Sequence, residues 1–213
     1  MRNLFYKMTS DEGGAPCVHK GLLSLAICKP GYRMKAGTGD WLFGFGGKRL
    51  GERLIYVAEV TSVLRHGDYY RRLDFAERPD CIYEWYRNRR GALLSRKASA
   101  RFHRGDEWLE HDNGSFPSYD RACVLLSSNF RYLGREGTDA WKSLYPNLRH
   151  SIEGMGQSFY PWNETPEQKT ELMALRKALW ADFTSGSYLG DPSDEEGACP
   201  ECRPEDEDEA PDC

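Results

Sequence analysis

Cys28 and Lys29 are the first neighbours in this chain that could do covalent chemistry. Cys28 closes a short apolar run, GLLSLAIC from Gly21, and Lys29 is followed by Pro30 and Gly31. A neighbouring ammonium favours the thiolate, so the pair has the form of a nucleophile. A buried structural cysteine fits the same residues, because free cysteine is among the most buried residue types. Carboxylates that could exchange protons are Asp11, Asp40 and Asp120, the last beside Arg121. Asp40 also fits as the cap of a turn at Gly39, and Trp41 after it fits either a base-stacking ring or core.

The segment GFGGK brings Gly44, Gly46 and Lys48 together. Glycines permit close backbone approach to a phosphate and the lysine adds charge. The spacing departs from a P-loop, which needs four residues between its glycines and a Ser or Thr after the lysine. A glycine-rich hairpin loop accounts for it as well. The five histidines, His19, His66, His103, His111 and His150, do not pair at ligand spacing, and His111-Asp112-Asn113 reads as polar loop. Cys199 and Cys202 form a lone CxxC without the second pair that marks a structural zinc. No metal and no cofactor is expected.

Tyr86 to Arg104 holds Arg87, Arg89, Arg90, Arg96, Lys97, Arg101 and Arg104 and no acid. A solvated face mixes signs, so a one-sided run rich in arginine suits a nucleic-acid backbone. The other reading is a basic loop whose partner is the chain's own acidic end. From Asp191 to Cys213 there are eleven acidic side chains and one basic, a formal −10. The remaining 28 basic and 22 acidic residues leave +6. Residues 191–213 are therefore expected to be a disordered acidic tail on a domain spanning 1–190.

The elements that would position these residues are mostly short strands. Asn3–Met8, Gly21–Cys28 and Trp41–Phe45 have strand length, and Leu54–Leu64 is β-branched and apolar on both faces, which predicts a central strand. Asp68–Phe75 reads as a short helix, residues 87–118 as loop, and Arg121–Leu133 as two strands joined at Ser127-Ser128-Asn129. Thr165–Phe183 is a helix: Thr165 caps, Pro166 takes the first position, Gln168 completes a capping box, and Leu172, Leu175, Leu179 and Phe183 share one face. This order is α+β or mainly β, without βαβ alternation.

The chain of 213 residues, 39% hydrophobic and 13% aromatic, can bury a core. No apolar run approaches the ~18–20 residues that span a bilayer, and Met1–Thr9 does not read as a signal peptide. Seven dispersed cysteines point to reduced thiols. A soluble, cytoplasmic protein with no membrane partner is the expectation.

Seven blocks, DEGGAP, LSLAICKPGYR, GDWLFGFGGK, RLIYVAEVTSVL, DYYRRLDF, CIYEW and SYDRACVLLSSNFRYLG, occur in this order. Together they resemble the nucleotide modification associated domain, type two, of bacterial and phage proteins, from about Phe5 to Phe183. The GDW block and the strand after it are also similar to PUA-like barrels of the EVE, ASCH and YTH groups. These resemblances imply a small, twisted, mainly antiparallel β-barrel with a C-terminal helix, and association with modified bases or nucleotides. On this reading Trp41 stacks on a base, and Asp40, Lys29 and Arg33 read polar edges or hold phosphate. Gly44, Gly46, Lys48, Asp11, Asp120 and Arg121 complete the site, and the arginine run carries a polynucleotide backbone. The alternative is an enzyme acting on a base or nucleotide, drawing on Asp11, Cys28, Lys29, Asp40, Asp120 and Arg121. A third reading is a DNA mimic or protein-interaction protein that works through its acidic end.

Overall fold

The computed structural model describes residues 1–89, 91–105, 107–155, 160–161, 165–181 and 188–194. The strands are β1 (Asn3–Met8), β2 (Cys17–His19), β3 (Leu22–Leu25), β4 (Trp41–Gly46), β5 (Leu54–Glu59), β6 (Ser62–Leu64), β7 (Tyr83–Asn88), β8 (Gly91–Arg96), β9 (Val124–Ser127), β10 (Asn129–Tyr132) and β11 (Tyr160–Pro161). The α-helices are α1 (Pro30–Lys35), α2 (Glu107–Asn113), α3 (Trp141–Leu144), α4 (Pro146–Gly154) and α5 (Pro166–Ala181).

The strands form a five-stranded sheet in the order β10-β5-β4-β1-β11, a four-stranded sheet β2-β3-β9-β6, and the hairpin β7-β8. Pairing is antiparallel except between β1 and β4. The expected closed barrel is not formed: the two larger sheets keep separate ends, and the class is mixed α and β in layers. The predicted single strand Leu54–Leu64 explains why. Its first half, β5, pairs with β10 in one sheet, and its second half, β6, pairs with β9 in the other. Chain β9–β10 crosses between the sheets beside it. Thr61 holds this corner, donating its backbone N–H to the Leu126 carbonyl at 2.8 Å and accepting the Ser128 N–H at 3.1 Å.

The two-residue period of the strands sorts the core into layers. On β1, Leu4, Tyr6 and Met8 face the space between the sheets with Leu23, Leu25, Tyr56, Leu125 and Phe130. Phe5, with Phe43 and Phe45 of β4, faces the opposite side, against Trp141, Leu148, Ile152, Leu172 and Leu175 of the helices. The leucine stripe of α5 thus docks on the core as its spacing predicts; Phe183 lies outside the described residues. The capping box forms as well: the Gln168 N–H donates to Thr165 Oγ1 at 3.3 Å, and the Thr165 N–H to Gln168 Oε1 at 2.9 Å. The far face of the second sheet packs on Tyr69, Tyr70, Phe75, Tyr83, Leu94 and Phe102.

Two expectations are corrected here. Asp68–Phe75 forms two 3-10 turns, Asp68–Arg71 and Leu73–Phe75. Residues 87–118 are not all loop, because they include part of β7, all of β8, and α2. By the hairpin register Arg87 and Arg96 share the face of Tyr83 and Leu94, Arg87 exposed and Arg96 half-buried, so charged residues interrupt the apolar alternation that would mark the two strands.

Candidate active site

Three residues far apart in sequence meet where β3 ends. Cys28 Sγ lies 3.1 Å from His103 Nε2, and His103 Nδ1 lies 2.7 Å from Asp112 Oδ2. An ionised carboxylate only accepts, so Nδ1 carries the proton and Nε2 is left to take the proton of the thiol. A thiol, an imidazole and a carboxylate in this order have the geometry that thiol catalysis requires of nucleophile, base and orienting acid.

Local folding explains how each is held. After β3, Ala26 and Ile27 are buried, and the chain then turns through two left-handed residues, Cys28 at φ 57° and Lys29 at φ 45°. Such conformations cost on the order of 1–3 kcal/mol each outside glycine and persist only where the surroundings enforce them. Here Pro30 starts α1, and Arg33 one turn later reaches back. Its Nε donates to the Cys28 carbonyl at 2.7 Å, its Nη2 to the Asp112 carbonyl at 2.9 Å, and its Nη1 to the carbonyl of Cys123. The planar guanidinium, fully buried, thus ties the Cys28 turn to α2 and to the entry of β9.

Asp112, in the last turn of α2, is fully buried. Its Oδ2 accepts the Tyr83 hydroxyl at 2.7 Å, and its Oδ1 accepts the Cys28 N–H at 2.9 Å and faces Arg33 Nη2 at 3.6 Å. Burial pushes the carboxyl up, but His103, Arg33 and the Tyr83 hydroxyl outweigh it and hold the group below the usual carboxylate range. His103 is stacked on Trp108, ring centroids 4.2 Å apart. The loop that carries His103 is pinned by Arg96, which donates to the carbonyls of His103 and Ala100, both at 2.6 Å, and of Phe102 at 3.3 Å. Cys28 itself is half-buried, whereas Cys17, Cys81 and Cys123 are buried, and burial pushes each of those three thiols up.

The other predicted site residues sit elsewhere. Trp41, on β4, meets Trp180 edge-on at 5.3 Å and lies under the Arg176 guanidinium at 4.5 Å, so both flank it with α5. Asp40 accepts Arg2 at 2.6 Å and the Gly37 N–H at 2.9 Å. Burial would raise its carboxyl, but these bonds and the Arg2 charge hold it low. Gly44 and Gly46 are needed by packing: a Cβ on Gly44 would sit 2.1 Å from the Tyr56 ring, and one on Gly46 2.7 Å from Leu50. Lys48 is exposed on a 3-10 turn.

Asp11 is buried beneath residues 188–194. It accepts the Tyr132 hydroxyl at 2.6 Å and the Ser193 hydroxyl at 2.9 Å, and burial pushes its carboxyl up. Asp120 is exposed, and the Arg121 carbonyl approaches Arg33 Nη1 at 3.5 Å. Of the arginine run, Arg87, Arg89 and Arg101 are exposed. Arg96 is tied to the His103 loop, and Lys97 Nζ donates to the Ala76 carbonyl at 3.1 Å. Arg90 and the CxxC of Cys199 and Cys202 lie outside the described residues.

The structure thus brings together Cys28, Lys29 and Arg33 from the predicted set and adds His103, Asp112 and Tyr83. His103 was hidden in the arginine run and Asp112 in a segment read as loop; their separations from Cys28, 75 and 84 residues, leave no local spacing to read. Among the described residues, no group of three or more His, Cys, Asp or Glu side chains could hold a metal ion, and no helix is long and apolar enough to cross a membrane.

No curated protein and no solved structure matches the chain. A family model described as nucleotide modification associated domain 2 matches residues 1–195, which takes in every residue of this site. The match spans most of the chain, and the protein belongs to the nucleotide modification associated domain 2 family.

Proposed function

We propose that this protein is a thiol enzyme that acts on an electrophilic carbon of a nucleobase, or of a group attached to one, with Cys28 as nucleophile. The observation that carries this reading is the continuous chain from Cys28 Sγ through His103 to the buried carboxylate of Asp112, with contacts of 3.1 and 2.7 Å. The family gives the nucleotide context.

In the proposed reaction Cys28 gives its proton to His103 Nε2, and the sulfur forms a bond to a carbonyl or amidine carbon. The π pair moves to the heteroatom. Collapse of this adduct breaks the bond to the leaving group, which takes the proton from Nε2. Water then attacks the acyl-sulfur carbon, losing a proton to Nε2, and the thiol leaves. Asp112 keeps the imidazole in the productive tautomer and stabilises it when doubly protonated. Lys29, next to the thiol, favours anionic groups on the substrate. Where the substrate is a polynucleotide, the exposed Arg87, Arg89 and Arg101 take its phosphates.

A base-binding module without chemistry is the first reading of the sequence. It relies on Trp41 and Asp40, whose partners here are Trp180, Arg176 and Arg2, and on Lys29 and Arg33, which lie beside Cys28. The enzyme reading uses a site with a poised reactive group, and it is favoured for that reason.

The test is intact-mass spectrometry after exposure to nucleotides that carry carbonyl or amide groups on the base. The wild-type protein should gain an adduct that maps to Cys28, and Cys28→Ser should gain none. Adducts formed equally by the variant would contradict the assignment.

A further inference from the structure

We infer that the substrate is a single-stranded polynucleotide and not a free nucleotide, held on the face of the β7–β8 hairpin that leads to the thiol site, with a base stacked on Phe116 and phosphates on Arg87 and Arg89. The inference rests on the nucleotide reading above and names the class of substrate.

One face of the hairpin runs from the site to the tip. Side chains alternate along a strand, so Tyr83, Trp85 and Arg87 of β7 share a face with Ala92, Leu94 and Arg96 of β8. At the inner end the Tyr83 hydroxyl donates to Asp112 Oδ2, and Arg96 holds the His103 carbonyl. At the outer end Arg87 is exposed, and Arg89 is exposed in the turn beyond it. At ~3.3 Å per residue, Arg87 lies ~13 Å along the strand from Tyr83. A base at Cys28 and a phosphate at Arg87 therefore belong to different nucleotides of one strand. The middle of this face is aromatic. Trp85 meets Tyr119 edge-on with centroids 5.4 Å apart, and Tyr119 meets Phe116 at 6.2 Å. Arg71 covers the Trp85 ring at 4.1 Å and Tyr119 is buried, so Phe116, 42% exposed, is the ring of this row that is open to a base. An exposed ring stacks on any base without reading its edge.

Charge selects the partner. Arg96 and Lys97, in the middle of the arginine run, donate to carbonyls of the chain itself. Arg87 and Arg89 are exposed, as is Arg104 beside His103, and among the described residues no acid pairs with any of the three. Cations left unneutralised on one edge repel one another until a polyanion binds. Arg71 adds no net charge, because Asp68 lies 3.2 Å from its guanidinium. The opposite face of the hairpin carries Glu84 and Tyr86, so its one exposed acid points away from the arginine face. A single strand also suits the thiol. Cys28 is half-buried, and a base reaches such a group only when it is out of a duplex stack.

Fluorescence anisotropy of the full chain with a labelled oligodeoxythymidine of about ten residues tests this, over a series of salt concentrations, with thymidine monophosphate and a duplex of the same length as competitors. Wild type should bind the single strand, the duplex at least about tenfold more weakly and the mononucleotide at least about a hundredfold more weakly. The double variant Arg87→Ala, Arg89→Ala should lose about tenfold at low salt, and its log–log salt slope should fall by about 1.4, roughly 0.7 for each phosphate contact removed. Phe116→Ala should lose several-fold with the slope unchanged. Tyr86→Ala, on the opposite face, should bind as wild type does. All four positions are exposed, and circular dichroism checks that each variant is folded. No binding of the single strand by folded wild type, equal binding of the mononucleotide, tighter binding of the duplex, or a loss in Tyr86→Ala as large as in Phe116→Ala would each overturn the inference. Strand binding as described without any Cys28 adduct would overturn the thiol reading alone.

Discussion

Asp112 is the residue on which the site converges, because four neighbours use its carboxylate: His103, Tyr83, Arg33 and the Cys28 N–H. Its folded value lies below the ordinary aspartate value of about 3.9. A depressed carboxylate contributes stability that is complete above the unfolded value and is lost as pH falls through the folded one. Asp112→Asn removes that contribution and leaves the buried Arg33 without its counter-charge. It should cost about 3–5 kcal/mol at neutral pH, and its stability should change less than that of wild type between about pH 5 and pH 3. Urea unfolding at the two pH values checks both; an unchanged pH dependence would remove Asp112 from the account. Cys28 was legible in the sequence as a thiol at a strand end beside a lysine. His103 and Asp112 were not, since what distinguishes them is a partner supplied by tertiary structure.

At the level of elements, short-range signals carried well. β1 runs over the residues its composition predicts, α5 starts at its capping box, and the two runs of Arg121–Leu133 are the strands β9 and β10. What local pattern could not carry is which sheet a strand joins. Leu54–Leu64 reads as one strand because both halves are apolar, yet Thr61 and its bonds to Leu126 and Ser128 bend it from one sheet into the other. The glycines of β4 show the same limit. Gly44 looked open to a phosphate, but the space its missing Cβ leaves is filled by the Tyr56 ring and approached by Met8 Sδ at 2.9 Å. Gly44→Ala should destabilise by roughly 1–3 kcal/mol, because an interior strand between β1 and β5 cannot move away. Thermal unfolding measures this, and a neutral effect would mean that Tyr56 yields and the packing argument fails.

The whole molecule is a stack of layers. Helices α3, α4 and α5 cover one face of the five-stranded sheet, the four-stranded sheet packs on its other face, and the β7–β8 hairpin lies beyond. The thiol site forms on the hairpin side, where the turn after β3, the Arg96-pinned loop and α2 meet. A small cavity under residues 188–194 is lined in part by Phe102, the residue before His103. The family match over residues 1–195 covers the thiol site and residues 188–194, which the sequence divides between domain and tail.

The central claim is that His103 activates Cys28, and quantitative alkylation measures it most directly. Wild type and His103→Gln would be treated with limiting iodoacetamide near pH 6.5, and modification of each cysteine followed by peptide mass spectrometry. The account predicts that Cys28 reacts well ahead of Cys17, Cys81 and Cys123, and that His103→Gln slows Cys28 by at least about tenfold while the fold is kept. Equal rates at Cys28 in the two proteins would contradict it.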